Sequence, residues 1–345
     1  MRQDWNIRVY KMCSSIEGSR RFYEQRVAPM IRSSFPEYEN KIAAGLVGEG
    51  SDCFGYDDFI SRDHDFGTGV CLWLTDEDYR EIGQRLSEEY ERLVDSVEGN
   101  GLTARLRSRR GVMTIHGFYS SILGIDLDTE SGNISEEDWN SLDHNCLATA
   151  VNGVVFRDDL GQFSRFRKRL LDYYPDKIWK ERIVNALHKF SVAMQVNYAR
   201  CMSRGDYVAA RLCHMEGLQS AMELFFLMKR QYPPYYKWTF RRLSELDAES
   251  NEKSSERSVY SERNIYSENS GRYAKLISTF ADATGDKSVW EGKNYSPTYI
   301  NLSDPIVLYA ERLAEQIVAM LRENGLTEGI DPYLEKYVDE ILKDM

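Results

Sequence analysis

Gly48 to Phe66 reads G-E-G-S-D-C-F-G-Y-D-D-F-I-S-R-D-H-D-F, a polar stretch between two apolar runs, Ile42 to Val47 and Val70 to Leu74. The runs predict two short strands bracketing a loop. Gly50-Ser51 lies near the loop's start, and Asp63 and Asp65 occupy alternate positions near its end. In an extended segment, residues two apart point to the same side, so both carboxylates can reach one ion while His64 faces away. That outlines a metal site. Mg²⁺ takes one or two protein carboxylates and fills its remaining positions with water and substrate phosphates. Gly50 lets a phosphate approach the backbone, and the Ser51 hydroxyl with the following N–H groups can cradle its oxygens.

Working outward, Ser19 to Phe35 carries Phe22, Tyr23, Val27, Met30 and Ile31 at helical spacing, with Pro29 expected to kink the helix. After the second strand, Thr75 and Asp78 have capping-box spacing, and Tyr79, Ile82, Leu86, Leu93 and Val97 continue as a helix. Val112 to Ile115 predicts a third strand. Beyond Ser135 helical spacing takes over: Ile183, Leu187, Phe190, Met194 and Tyr198 make one stripe, and Val208, Leu212, Met215, Met222, Phe225 and Phe226 another that packs on it. Asp304-Pro305 opens a further helix that Asn324-Gly325 closes. The expected architecture is therefore α+β: a small α/β domain with a short mixed sheet at residues 1–134, then an all-helical domain at 135–345. Asp247 to Ser270, rich in Ser, Glu and Asn, is expected to be a mobile loop.

The 345 residues suffice for two domains, and a net charge of −11 argues against a protein that coats nucleic acid electrostatically. A nucleotide held through metal is still allowed. Six cysteines without any C-x-x-C read as reduced thiols. No run has the length of a membrane span and the N-terminus has no apolar leader, so no membrane partner is expected and the cytoplasm is the default location.

Competing motifs fail on particular residues. An EF-hand starting at Asp63 would need an oxygen ligand at its fifth position and Glu at its twelfth, where Gly67 and Leu74 stand. Gly48-Glu49-Gly50 lacks the third glycine of a dinucleotide fingerprint, and no lysine follows to make a Walker A loop. His116, just past the third strand, could face the site. Arginines 105, 107, 109 and 110 read either as a solvated basic face or as phosphate ligands. In Pro234-Tyr235-Tyr236-Lys237-Trp238 a lysine between aromatics can present one positive charge to a cleft, which makes Lys237 a candidate nucleotide contact. A core aromatic cluster whose lysine reaches outward reads equally well.

Gly50-Ser51 followed by Asp63-x-Asp65 resembles the nucleotidyltransferase superfamily of DNA polymerase β and the aminoglycoside nucleotidyltransferases. Longer strings narrow the resemblance: F-Y-E-Q-R-V-A-P-M-I from Phe22, Gly45 to Gly67, V-F-R-D-D-L-G-Q-F from Val155, Y-Y-P-D-K-I-W from Tyr173 and Y-P-P-Y-Y-K-W from Tyr232. These are similar to the family known as domain of unknown function 4037. The resemblance implies transfer of a nucleoside monophosphate from a nucleoside triphosphate to a hydroxyl-type acceptor on a small molecule or protein, assisted by two Mg²⁺ ions. Gly50 and Ser51 would hold the terminal phosphates, and Asp63 and Asp65 would bridge the metals as the catalytic carboxylates. Active members often carry a third carboxylate on the next strand, where Val112 to His116 offers none and Asp126 lies ten residues beyond His116. The alternative is therefore a nucleotide-binding sensor or interaction protein of reduced activity on the same fold.

Overall fold

The computed structural model describes residues 15–58, 67–97, 104–252, 272–292, 296 and 300–343. The chain divides into two compact units, Met1–Asp172 and Tyr173–Met345. The first is built on a four-stranded mixed sheet in the order β3-β2-β1-β4, with β1 Ala43–Leu46, β2 Cys71–Leu74, β3 Gly111–Thr114 and β4 Val154–Arg157. β1 runs antiparallel to β2 and β4, whereas β2 and β3 are parallel. The central pair, β1 and β2, is buried at every residue, and the apolar runs that predict these strands reflect burial on both faces.

Alternation along β2 sorts the layers. Leu72 and Leu74 join a core with Val27, Ile31 and Phe35 of the N-terminal helical segment and with Leu86, Tyr90 and Val94 of the Gln84–Asp95 helix. Trp73 points the other way and stacks on Phe163 with ring centres 3.8 Å apart, while Phe118 meets it edge-on at 5.4 Å. Helices Ile115–Leu123 and Gln162–Leu171 supply this second layer. Each sheet face thus buries its own aromatic or aliphatic set, the usual way a sheet satisfies two apolar faces.

β4 moves the domain boundary. The expectation of a helical domain from residue 135 is corrected: Val154–Arg157 pairs with β1, and the helices around it stay with the first unit, which ends at Asp172. The close approach depends on glycine. A Cβ at Gly45 would fall 2.6 Å from the Val154 carbonyl oxygen, and one at Gly153, whose φ is +63°, would fall 2.0 Å from the Leu46 carbonyl oxygen.

Local caps behave as the sequence suggests. Thr75 Oγ1 accepts from the Asp78 N–H at 3.1 Å, although the Asp78 carboxylate takes the Thr75 hydroxyl and Lys41 instead of completing a reciprocal box. Pro29 does not break its helix. Its missing N–H and bulky ring are accommodated by a wide π turn at Tyr23–Val27, where the Ala28 N–H reaches back five residues to the Tyr23 carbonyl.

The second unit is helical. Ile183, Leu187, Phe190, Met194 and Tyr198 are buried as expected. The expected companion stripe is corrected in its first half: Val208, Leu212 and Met215 are exposed, whereas Phe225 and Phe226 are buried as expected, together with Ala210, His214, Gly217, Ala221 and Leu224 of the Tyr207–Met228 helix. Small residues win because the helices pack closely; a Cβ at Gly217 would fall 2.3 Å from Met194 Cγ. Asp304 caps Pro305–Glu323 through the Ile306 N–H at 2.8 Å, and its buried carboxylate also accepts from Trp290 Nε1 at 2.7 Å and the Tyr198 hydroxyl at 3.1 Å. The loop expected from Asp247 is helical through Glu252, and Asp247 accepts from the Ala274 N–H at 2.8 Å. The rest of that expected loop lies outside the described residues. No helix among the described residues is long and apolar enough to cross a membrane.

Candidate functional site

The chain leaves β1 at Leu46 and enters Gly48-Glu49-Gly50-Ser51-Asp52. Gly48 and Gly50 have φ values of 115° and 124°, a region that residues with a Cβ rarely enter. Asn152, in the turn before β4, clamps the entrance. Its Oδ1 accepts from the Gly48 N–H and its Nδ2 donates to the Gly48 carbonyl, both at 2.8 Å. A primary amide is suited to this, since it offers a donor and an acceptor side by side.

The far side is held by charge. Arg109 pairs with Glu49 at 2.6 Å, and Arg110 Nη2 pairs with Asp52 Oδ2 at 2.9 Å. The Arg110 side chain is only 2% exposed and also donates to the Arg109 carbonyl and to Cys53 Sγ. Burial pushes the Cys53 and Cys71 thiols up despite the opposing pull of Arg110. Both therefore stay neutral near pH 7, and Asp52 is the full negative charge that compensates Arg110 among the described residues. Backbone bonds from Gly55 to Asp52 and from Tyr56 to Ser51 close the following turn. Asp57 then accepts from the Ser15 N–H at 3.0 Å and its hydroxyl at 2.6 Å. The result is a loop fixed at both ends and in its middle, in which the Ser51 hydroxyl has no hydrogen-bond partner among the described residues.

Three consequences follow for the residues singled out above. Three of the arginines are paired: Arg109 and Arg110 brace the loop, and Arg107 pairs with Glu91 and Asp95, while the Arg105 side chain lies outside the described residues. Glu49 and Asp52 are each paired with one of those arginines. Asp63 and Asp65, the candidate Mg²⁺ ligands, lie outside the described residues, and no group of three or more His, Cys, Asp or Glu side chains that could hold a metal occurs among the described ones.

His116 is corrected as a neighbour of the loop. β3 runs parallel to β2 and antiparallel to β1 in direction, so its C-terminal end, where His116 lies in the first turn of the next helix, is at the opposite end of the sheet from Gly50-Ser51. There His116 Nε2 pairs with Asp126 Oδ1 at 2.5 Å, which removes Asp126 as well. Lys237 belongs to the second unit, in the first turn of Tyr236–Glu252. It is exposed, with its Nζ 5.0 Å from the ring centre of buried Trp238, whose Nε1 donates to the Tyr235 hydroxyl at 2.7 Å.

Asn152 and the pairing role of Arg110 are not visible in sequence reasoning. Asn152-Gly153 carries a turn signal, but nothing local says that the amide closes on a backbone 104 residues away.

Residues 139–239 match the model of the family described as Domain of unknown function (DUF4037). The three later motifs, from Val155, Tyr173 and Tyr232, lie inside the match; Phe22 to Ile31 and Gly45 to Gly67 precede it. No curated protein and no solved structure matches the chain.

Proposed function

We propose, for a chain of the DUF4037 family, the activity of a metal-dependent nucleotidyltransferase: a nucleoside monophosphate passes from a nucleoside triphosphate to a hydroxyl-type acceptor on a small molecule or protein. The Gly48–Asp52 loop carries this reading. It is braced before any ligand arrives, which lowers the ordering cost of binding, and it presents a glycine of unusual φ beside an uncommitted hydroxyl. Gly50 and Ser51 would hold the terminal phosphates, and Asp63 and Asp65 would be the metal ligands. Bound Mg²⁺ would supply charge neutralisation at the phosphates and a more acidic acceptor hydroxyl. In the transfer the acceptor hydroxyl loses its proton to solvent, its oxygen bonds to the α-phosphorus, the bond to the bridging oxygen breaks, and pyrophosphate leaves.

Titration of the wild-type protein, Asp63→Asn and Asp65→Asn with ATP and Mg²⁺ tests the site, and label from α-labelled but not γ-labelled nucleotide should reach an acceptor in cell extract. Equal affinities across the three proteins would overturn the assignment.

One observation favours a second reading, a nucleotide-binding sensor or interaction protein. The acid considered for the third carboxylate, Asp126, is paired with His116 at the other end of the sheet. Tight binding of nucleotide with no labelled product from any of the four triphosphates would select it.

A further inference from the structure

The two ends of the sheet differ in what they offer. At the end opposite Gly50-Ser51, the parallel strands β2 and β3 terminate on a cleft of about 560 Å³, within the range of small-molecule sites. Crevices beyond the carboxyl ends of parallel strands are where open α/β sheets take ligands. The geometry here is of that kind, because β2 and β3 each hand the chain to a helix whose first turn lines the cleft, at Asp76 and at Ile115.

The charges in this cleft are of both signs and are only partly spent on each other. Lys41 and Asp78 neutralise one another at 2.7 Å. Asp76 stands 3.9 Å from His116, which is itself bound to Asp126. Arg165, Glu77 and Glu130 remain: all three are exposed lining residues, and none of their charged groups has an ion-pair or hydrogen-bond partner among the described residues. Thr129 adds a neutral group. It lines the same cleft, and its hydroxyl has no hydrogen-bond partner among the described residues. Gln162, at the start of its helix, supplies an amide with the same freedom.

A cleft that keeps a guanidinium and carboxylates unpaired around one volume complements a ligand carrying both signs. We propose that this cleft binds a small zwitterion of the amino-acid class, its carboxylate on Arg165, its ammonium on Glu77 and Glu130, and its neutral polar atoms on Thr129 and Gln162. A diamine would leave Arg165 facing a like charge, and a dicarboxylate would do the same to Glu77 and Glu130. The site is separate from the Gly48–Asp52 loop and does not depend on the nucleotide reading.

Calorimetric titration of the full chain with each of the twenty amino acids, putrescine and succinate tests this. At least one amino acid should bind saturably and more than tenfold tighter than either control. Arg165→Ala and Glu130→Gln should each weaken that binding tenfold or more. Both positions are exposed, and circular dichroism would establish that the variants are folded. No saturable binding by any amino acid, or putrescine or succinate binding as tightly as the best amino acid, would overturn the proposal. So would wild-type affinity in both variants.

Discussion

Arg110 Nη2 donates to Asp52 Oδ2 at 2.9 Å and joins the residue before β3 to the loop that leaves β1, 58 positions earlier in the chain. With two buried neutral thiols beside it, the guanidinium has no other full negative charge to lean on among the described residues. Breaking one side of such a pair strands a buried charge, which costs more than the pair itself contributes.

Asp52→Asn should therefore destabilise the first unit by about 2–3 kcal/mol, discounted from a fully buried pair because Asp52 is 19% exposed. Arg110→Met with Asp52→Asn should recover part of that loss. Urea denaturation of the two single variants and the double variant measures it, and additive losses would refute the coupling.

Asn152→Ala removes two hydrogen bonds to Gly48 and should cost about 1–2 kcal/mol. If the braced loop holds phosphates, the same variant should also weaken ATP-Mg²⁺ binding several-fold. Asn152→Asp, which keeps only the acceptor, should fall between wild type and Ala in stability.

His116 should titrate above the ordinary histidine value. The hydrogen bond to Asp126 is the main cause, and burial opposes it. Because the folded value is raised, the pair's contribution is present in full below about pH 6.5 and is lost as pH rises through the folded value. Asp126→Asn should bring the His116 midpoint down in an NMR titration; an unmoved midpoint would remove the pairing.

His214 should behave in the opposite sense. Burial is the main cause of its lowered value; the Phe280 carbonyl opposes, and Arg211 adds to the lowering. Its Nε2–H donates to that carbonyl at 2.8 Å, leaving Nδ1 to accept from Arg211 at 3.3 Å, a pattern that requires the neutral ring. Stability should be full above about pH 6.5 and fall as pH drops toward the lowered folded value, by up to about 1.4 kcal/mol per pH unit. His214→Gln should flatten that slope in urea midpoints measured across pH.

The sheet's centre was legible because β1 and β2 are continuous apolar runs, and burial on both faces leaves that mark. β4 was not. Val154-Val155-Phe156-Arg157 is four residues long, bounded by helical sequence, and becomes a strand by pairing with β1. The 207–228 helix misled for another reason. Large apolar residues at helical spacing suggested Val208, Leu212 and Met215 as the packing face, whereas close helix approach selects Ala210, Gly217 and Ala221. His116 sits where the sequence put it, just past a strand, but linear order does not say at which end of a mixed sheet a strand finishes. The Gly-Ser loop was visible as a motif. Its brace was not, since Asn152 and Arg110 meet it only through the fold.

β4 also bears on how the family-matched segment can be studied. Residues 139–239 include β4 and Asn152 but not β1, and they run across the junction between Asp172 and Tyr173. Expressed alone, that segment would carry an orphan strand whose sheet neighbour among the described residues, β1, had been cut away, and an amide clamp with no backbone to grip. An unpaired strand edge is a template for self-association. The family's sequence signature and the smallest piece of chain able to fold are thus different lengths of protein, and truncation at the signature's borders should yield aggregate.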